Sequence, residues 1–306
     1  MSRISPRVDI AFKKIFGVEE NKDLLISLIN SIVSDQDQVS DITLLNTYNA
    51  QNFTRDKLSI LDIKAKGFDG KLFNIEIQIS DEADYDKRAL YYWAKLYTEQ
   101  LEVAEDYSTL SKAIGIHILN FISIPEVDKY HNIFHITEKE TGQSYFKDLE
   151  LHTIELKKFS KDSSEQLPDI ISKVKNSLDM WLAFLTRHDL LQSDKLSDNL
   201  DNSDLKKALT VLDVMNFSSL ERDAYEDHLK WLRIEANTLK KAEAKGVEKG
   251  REEGREEGIA IGEARSEIKS IEKIAKRMLK KNTDITFISS VTGISNDQLL
   301  KLKNKL

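Results

Sequence analysis

The 306-residue chain contains no cysteine. A disulfide framework and a thiolate metal site are therefore excluded. The sequence also has no N-terminal hydrophobic run of signal-peptide length and no apolar run long enough to cross a bilayer. These absences predict a cytoplasmic protein with no membrane partner. Neither a Ser-His-Asp pattern nor a phosphate-binding P-loop is present, so two familiar catalytic arrangements have no support.

Charge is distributed unevenly along the chain. The formal net charge is −7, yet residues 240–306 carry 16 Lys and Arg against 11 Asp and Glu, a net of +5, so residues 1–239 carry −12. An acidic body with a basic tail is not the profile of a protein that coats nucleic acid nonspecifically. It is compatible with acidic side chains that hold a divalent cation, because the ion brings its own positive charge.

Helical and extended patterns alternate over the first two-thirds of the sequence. Strand patterns cover about 42–48, a hairpin at 58–80, 112–122, 133–138 and 152–159; helical patterns cover about 5–16, 21–33, 85–102 and 168–186. The remainder is helical in pattern. This order predicts an α/β fold with a mixed sheet flanked by helices. We expect a main domain over residues 1–230 and a helical region over residues 231–306.

The hairpin carries the most specific signal, because polar and apolar residues alternate in both of its strands. Between the strands, Phe68-Asp69-Gly70 fits a three-residue loop with the glycine in the left-handed conformation. Such a loop pairs Gly67 with Lys71. The same register places Asp62 directly opposite Glu76, with Cβ atoms about 4.5–5.5 Å apart.

Two carboxylates at that separation repel each other unless a cation lies between them, so this register predicts a divalent-metal site. Both Asp62 and Glu76 lie inside strands, where acidic residues are disfavoured. The alternative is that they occupy the solvated face of an amphipathic hairpin. A shift of one residue in the register would place them on opposite faces.

Two histidines offer a weaker metal pattern. His131 and His135 are four residues apart, which suits zinc on a helix, but this stretch has a strand pattern. We interpret both as structural residues.

Glycine recurs at every fourth position in a charged segment, at Gly246, Gly250, Gly254, Gly258 and Gly262. In a helix each glycine costs about 1 kcal/mol relative to alanine. Small residues at this spacing let two helix backbones approach closely, so we favour a helical oligomerisation segment. The alternative is a flexible charged linker.

The last forty residues predict a small helical unit. A basic helix ends near Lys281, a short helix then stops at Gly293, and Ser295 with Gln298 forms a capping box for the final helix. Two short helices joined by a glycine turn, next to a basic helix, are compatible with either sequence-specific DNA binding or protein–protein packing. We favour packing.

Three segments resemble the PD-(D/E)XK nuclease superfamily, and more narrowly the bacterial Rpn family of recombination-promoting nucleases, often labelled transposases. They are SPRVDIAFKKIFG near the N-terminus, LDIKAKGFDGKLFNIEIQ in the hairpin and KRALYYWAKLY after it. The charged glycine-rich tail is also similar to the C-terminal region of that family. The resemblance implies a restriction-endonuclease-like core.

The resemblance also assigns residues. It implies that Asp62 and Glu76 bind the metal and that the Ile77 carbonyl adds a ligand. Gln78 stands where a catalytic lysine is usual. Asp9, on the opening helix, is implied as an additional acid; the alternative is a charge that favours the first turn of a helix.

Two positions depart from the family's pattern. Leu61 replaces the proline expected before the first acid, and Gln78 replaces the lysine. Glutamine can hydrogen-bond a water but carries no positive charge. Lys64, on the same face as Asp62, is a candidate substitute.

The helix after the hairpin supplies candidate DNA contacts, which are Arg88, Tyr92 and Lys95. The alternative is that the two cations only meet solvent while Tyr91, Trp93 and Leu96 face the core.

Together these patterns predict a homo-oligomeric DNA endonuclease that uses Mg²⁺, with Mn²⁺ or Ca²⁺ as alternatives, and breaks DNA in recombination or in mobile elements. The resemblance implies products with a 5′-phosphate and a 3′-hydroxyl. One alternative is a catalytically weak or inactive nuclease-derived module that binds DNA or protein. Another is a helical scaffold with a passive core.

Overall fold

The fold was analysed in a computed structural model that describes residues 4–45, 63–81, 84–102, 104–160, 164–215 and 217–304. The strands are β1 (Ile42–Leu44), β2 (Ile63–Gly67), β3 (Leu72–Gln78), β4 (Ala113–Leu119), β5 (His131–Phe134) and β6 (Leu149–Glu155). The helices are α1 (Asp9–Phe16), α2 (Lys22–Ile32), α3 (Tyr85–Thr98), α4 (Leu156–Phe159), α5 (Leu167–Lys173), α6 (Ser177–Arg187), α7 (Ser203–Asp213), α8 (Ser219–Lys280), α9 (Ile285–Thr292) and α10 (Asn296–Lys303).

The six strands form one mixed sheet in the order β1-β2-β3-β4-β6-β5. Strand β3 pairs antiparallel with β2 and parallel with β4, and β4 in turn pairs parallel with β6. The two outer pairs, β1 with β2 and β5 with β6, are antiparallel. The α/β class and the mixed sheet that the sequence predicts are confirmed.

One face of this sheet is apolar and carries the main core. Isoleucines and other apolar residues of β2, β3, β4 and β6 share a buried cluster with α1, α2, α6 and α7. At its centre Trp181 of α6 meets Phe16 of α1 edge-on, with ring centroids 5.4 Å apart. Side chains alternate between the faces of a strand, so the residues between these isoleucines point to the other face.

Helix α3 covers the other face. Its Trp93 Nε1 donates a hydrogen bond of 2.8 Å to the carbonyl of Ala113, at the start of β4. Its Leu96 packs against Leu72 and Ala113, while its Tyr85 packs nearer the far end of β4. The side chains of β3 that alternate with the core residues therefore lie between the sheet and α3.

The hairpin has the register that the sequence predicts. Ile63 pairs with Ile75, and the Gly67 N–H donates to the Lys71 carbonyl at 2.8 Å. Gly70 has φ +90°, the left-handed conformation that the loop requires.

Three element predictions differ from the structure. The strand predicted at 133–138 is β5, His131–Phe134, so residues 135–138 lie outside it. The segment 152–159 is not one strand, because β6 ends at Glu155 and α4 begins at once, burying Leu156 and Phe159 with helical spacing. The segment 168–186 is not one helix. Extended backbone at Val174 (φ −78°, ψ 109°) ends α5, and Asn176 caps α6 by accepting a hydrogen bond from the Asp179 N–H.

The chain divides into two compact units, Met1–Leu232 and Arg233–Leu306. In the second unit the repeated glycines lie within the continuous helix α8. Apart from the backbone of that helix, none of the described residues comes within 4 Å of where the glycine Cβ atoms would be. Near its C-terminus, Ala275, Leu279, Ile288 and Leu299 form a buried cluster. Gly293 ends α9 at φ +72°, and Ser295 with Gln298 makes the expected capping box.

Among the described residues, no helix combines the length and the apolar character needed to cross a membrane.

Candidate active site

A row of polar side chains on β3 lies buried between the sheet and α3. Asn74, Glu76 and Gln78 alternate with the core residues of this strand, and all three are buried. Only 4% of Glu76 is exposed. An ionised carboxylate at that depth costs several kcal/mol unless other groups compensate its charge. The surroundings of Glu76 therefore decide what this row can do.

Glu76 meets a cation on one oxygen and an imidazole on the other. Arg88 Nη2, from α3, lies 3.6 Å from Glu76 Oε1. His117 Nδ1, from β4, lies 3.5 Å from Glu76 Oε2, and the two residues are directly paired in the strand register. Tyr85 stacks edge-on against His117, with ring centroids 5.8 Å apart. Burial, reinforced by the charge of Glu76, raises the pKa of Tyr85 well above its usual range.

Several buried polar atoms around Glu76 have no hydrogen-bond partner within the part of the chain that the structure describes. They are Glu76 Oε2, His117 Nδ1, Asn74 Oδ1, Tyr85 Oη and Thr153 Oγ1. Thr153 belongs to β6 and pairs in register with His117. Each unsatisfied buried group costs roughly 1–3 kcal/mol. Such a cluster fits a site that binds a polar ligand or an ion.

The first predicted acid, Asp62, lies outside the described residues. The observed register, Ile63 with Ile75, would place Asp62 opposite Glu76 if it continued by one more pair. That position stays a prediction. Among the residues that are described, no three His, Cys, Asp or Glu side chains are grouped so that they could hold a metal ion.

The residues flanking Glu76 on β3 take different positions. Gln78 lies on the same face, and its Nε2 donates a hydrogen bond of 3.2 Å to the Ser80 carbonyl. The Ile77 side chain belongs to the apolar core on the opposite face. Whether the Ile77 carbonyl binds an ion stays a prediction.

Lys64 shares the face of Glu76, because it pairs in register with Asn74. Its Nζ lies 3.3 Å from Glu99 Oε2, just past the end of α3. Lys95 Nζ also approaches Glu99, at 3.6 Å from Oε1. Of the three proposed DNA contacts, Arg88 thus points inward to Glu76, Lys95 is exposed, and Tyr92 is half-buried.

Asp9 begins α1 and is buried, with 5% exposed. The chain just before it is tied to the end of the sheet, because Arg7 Nη1 donates to Asn120 Oδ1 at 2.9 Å. The Asn120 N–H in turn donates to the Gln78 carbonyl at 2.8 Å. The start of α1 therefore lies at the carboxyl end of β3, the end that carries Gln78.

Sequence reasoning missed His117, Tyr85 and Thr153 as members of this cluster. A local signal for His117 exists, since a histidine flanked by isoleucines in a strand is conspicuous. That His117 lies beside Glu76, however, follows from the parallel pairing of β3 with β4. Parallel strands are not joined by a short turn, so the sequence does not reveal which residues of the two strands face each other.

A mixed sheet flanked by helices, with a buried acid on an inner strand, fits the α/β architecture of PD-(D/E)XK nucleases. The family model described as PD-(D/E)XK nuclease family transposase matches residues 6–242. The chain belongs to this family. Neither a curated protein nor a solved structure matches it.

Proposed function

We propose that the protein is a metal-dependent DNA endonuclease that acts in recombination or in mobile elements. The chain belongs to a nuclease family, and one structural observation supports the proposal. The Glu76 carboxylate is buried on an inner strand, and its Oε2 atom has no hydrogen-bond partner in the described residues. A carboxylate oxygen left in that state suits a hard divalent cation, which prefers oxygen ligands.

Asp62 and Glu76 would hold the cation, with the Ile77 carbonyl as a further ligand. Mg²⁺ is the proposed ion, and Mn²⁺ or Ca²⁺ can occupy a similar oxygen site. When bound, such an ion polarises the scissile phosphate and lowers the pKa of a bound water.

Four side chains of the protein would surround the bound ion and the attacking water. Arg88 compensates Glu76 from the side of Oε1 and leaves Oε2 facing His117. Gln78 can orient a water by hydrogen bonding but cannot supply charge. Lys64 would have to leave Glu99 to serve as the missing lysine. Asp9 is the candidate extra acid at the Gln78 end of β3.

DNA is the proposed substrate. The exposed Lys95 is a candidate for contact with the DNA phosphates. Since Arg88 contacts Glu76, we assign it a place beside the acid rather than on the DNA backbone.

We further propose that the protein is a homo-oligomer joined through α8. The glycines at every fourth position leave the helix surface open: apart from the helix's own backbone, no atom of the described residues lies within 4 Å of an added Cβ. A second helix of another copy can approach such a surface closely, which would offset the cost of glycine in a helix.

A second candidate function is a nuclease-derived module that binds DNA or protein without turnover. Two observations favour it. Gln78 stands where a lysine is usual, and the candidate substitute, Lys64, is paired with Glu99.

Plasmid nicking separates the two candidates. Supercoiled plasmid is incubated with the protein and Mg²⁺, Mn²⁺ or EDTA, beside Asp62→Asn and Glu76→Gln. Glu126→Gln, at an exposed position, is the matched control. Nicking that needs the metal and is lost in both site variants but kept in the control supports the endonuclease. DNA retention without nicking in the unmodified protein supports the binding module.

A further inference from the structure

His117 occupies a position from which it can share an ion with Glu76. It lies in the middle of β4 with 2% of its surface exposed, directly paired with Glu76 on β3. Its Nδ1 atom is 3.5 Å from Glu76 Oε2. An N–H···O hydrogen bond normally measures 2.7–3.2 Å, so this contact is too long to satisfy either atom.

The imidazole is held in that position by its neighbours. A Cβ atom at Gly115 would lie 3.1 Å from His117 Nε2 and 2.6 Å from Leu151 Cδ2, so the ring uses space that only glycine leaves. Tyr85 closes another side, edge-on at 5.8 Å between ring centroids. The 3.5 Å separation between His117 Nδ1 and Glu76 Oε2 is therefore set by close packing around a buried ring. His117 is not an exposed side chain that could rotate freely to change this distance.

The size of the gap fits two ligands of one metal ion. Imidazole nitrogens and carboxylate oxygens bind first-row metals at about 2.0–2.2 Å, so one ion can contact two atoms separated by 3.5 Å. Arg88 contacts the other oxygen, Oε1, and leaves Oε2 as the atom that faces the imidazole. Ligation would satisfy at once both atoms, neither of which has a hydrogen-bond partner among the described residues.

We infer that His117 is a metal ligand beside Glu76, and that this nitrogen donor makes the site prefer a first-row transition ion such as Mn²⁺ over Mg²⁺. This inference rests on the proposed metal site at Glu76 and adds its selectivity. Imidazole suits transition metals, whereas Mg²⁺ favours sites built of carboxylates, carbonyls and water. A purely oxygen-based pair of acids would show no such preference.

The test measures binding of Mn²⁺ to the 306-residue chain without DNA. Pulsed electron paramagnetic resonance detects coupling from a ¹⁴N nucleus bonded to Mn²⁺, and titration calorimetry gives the affinities for Mn²⁺ and Mg²⁺. The variants are His117→Gln, Glu76→Gln and, as matched control, His135→Gln at a half-exposed position. Circular dichroism checks that each variant is folded.

We expect ¹⁴N coupling in the unmodified protein and in His135→Gln but not in His117→Gln. His117→Gln should weaken Mn²⁺ binding by roughly 10- to 100-fold while changing Mg²⁺ binding much less. If His117→Gln fails to fold, the absence of ¹⁴N coupling in the unmodified protein would still overturn the inference.

Bound Mn²⁺ without ¹⁴N coupling, together with its loss in Glu76→Gln, overturns the role of His117 and leaves the metal site intact. Equal loss of both ions in His117→Gln also overturns it. If the unmodified protein binds no Mn²⁺ or Mg²⁺, both this inference and the proposed metal-dependent function fail.

Discussion

Lys112 Nζ lies 2.7 Å from Glu150 Oε2, at the start of the parallel pair β4 and β6. The same ammonium lies 2.7 Å from Asp37 Oδ2, in the segment between α2 and β1. Glu150 Oε1 also accepts a hydrogen bond of 2.7 Å from His152 Nε2, and the other ring nitrogen of His152 lies 2.9 Å from His131 Nε2. This network ties the sheet to its flanking segments at the end away from Gln78.

Replacing Lys112 with methionine should destabilise the protein by about 2 kcal/mol. The change removes the cation that two buried carboxylates, Glu150 and Asp37, share. Compensation is lost only in part, because Glu150 keeps its hydrogen bond from His152 and Asp37 keeps Lys71 Nζ at 3.4 Å. Urea unfolding measures the change in free energy. Lys147→Met, at an exposed position, is the matched control and should stay within about 0.5 kcal/mol. Equal midpoints for both variants would show that the network contributes little.

Stability should fall in acid because of Glu150. Burial alone would raise the pKa of this carboxyl, but hydrogen bonds from His152 and Lys112 outweigh burial and hold its pKa at about 2. A depressed pKa contributes stability that is complete above the ordinary value of about 4.5 and is lost as the pH falls toward 2. The free energy of unfolding, measured between these pH values, should decrease less steeply in Glu150→Gln. Parallel curves for the two proteins would contradict this assignment.

Gly70→Ala should destabilise the hairpin by about 1–2 kcal/mol, because φ +90° strains any residue with a Cβ. The new Cβ would also lie 2.8 Å from Ser111 Oγ. Gly142→Ala is the control, since Gly142 has φ +70° but no atom in the described part of the chain, its own neighbours aside, lies within 4 Å of an added Cβ. Thermal unfolding should show the larger loss for Gly70→Ala. The same loss in both would mean that backbone strain alone, and not the contact with Ser111, sets the cost.

Alanine at the five repeated glycines of α8 should strengthen the helix but weaken the proposed assembly. Each substitution favours an isolated helix by about 1 kcal/mol. The open surface lets a second helix approach, and added methyl groups would hold it away. Sedimentation equilibrium measures the mass of the particle, and circular dichroism measures the helix content. An unchanged mass at all protein concentrations would argue against contact through this surface.

Gln78→Lys tests whether the missing lysine limits turnover. A buried ammonium beside Glu76 would supply the charge that glutamine lacks, and we expect plasmid nicking to rise by at least about tenfold. Gln143→Lys, at an exposed position, is the control and should leave the rate unchanged. A fall in the rate, with the fold intact, would show that this site works with an uncharged side chain.

The sequence predicts the hairpin well because its information is local. Alternation with a period of two and a loop that needs glycine at position 70 together set the register, which the pairing of Ile63 with Ile75 confirms. The break between α5 and α6 was missed although Asn176, a strong capping residue, marks it. The apolar residues keep a helical spacing through both segments, so the boundary between α5 and α6 was not recognised.

The candidate site could be predicted only in part, for a topological reason. Glu76 and Gln78 follow from the strand pattern of β3, but His117 comes from β4 and Arg88 from α3. The pairing of parallel strands depends on the fold of the whole chain. Neither strand's own sequence therefore indicates which side chains of its neighbour it will contact. The depth at which Glu76 lies likewise depends on α3, which the hairpin sequence does not contain.

Strand β3 has a bonded neighbour on each side, β2 and β4. The backbone that carries Glu76 therefore cannot shift without breaking the hydrogen bonds of one ladder or the other. When the proposed site takes a ligand, the rearrangement would be confined to side chains, while the backbone that positions the acid stays preorganised.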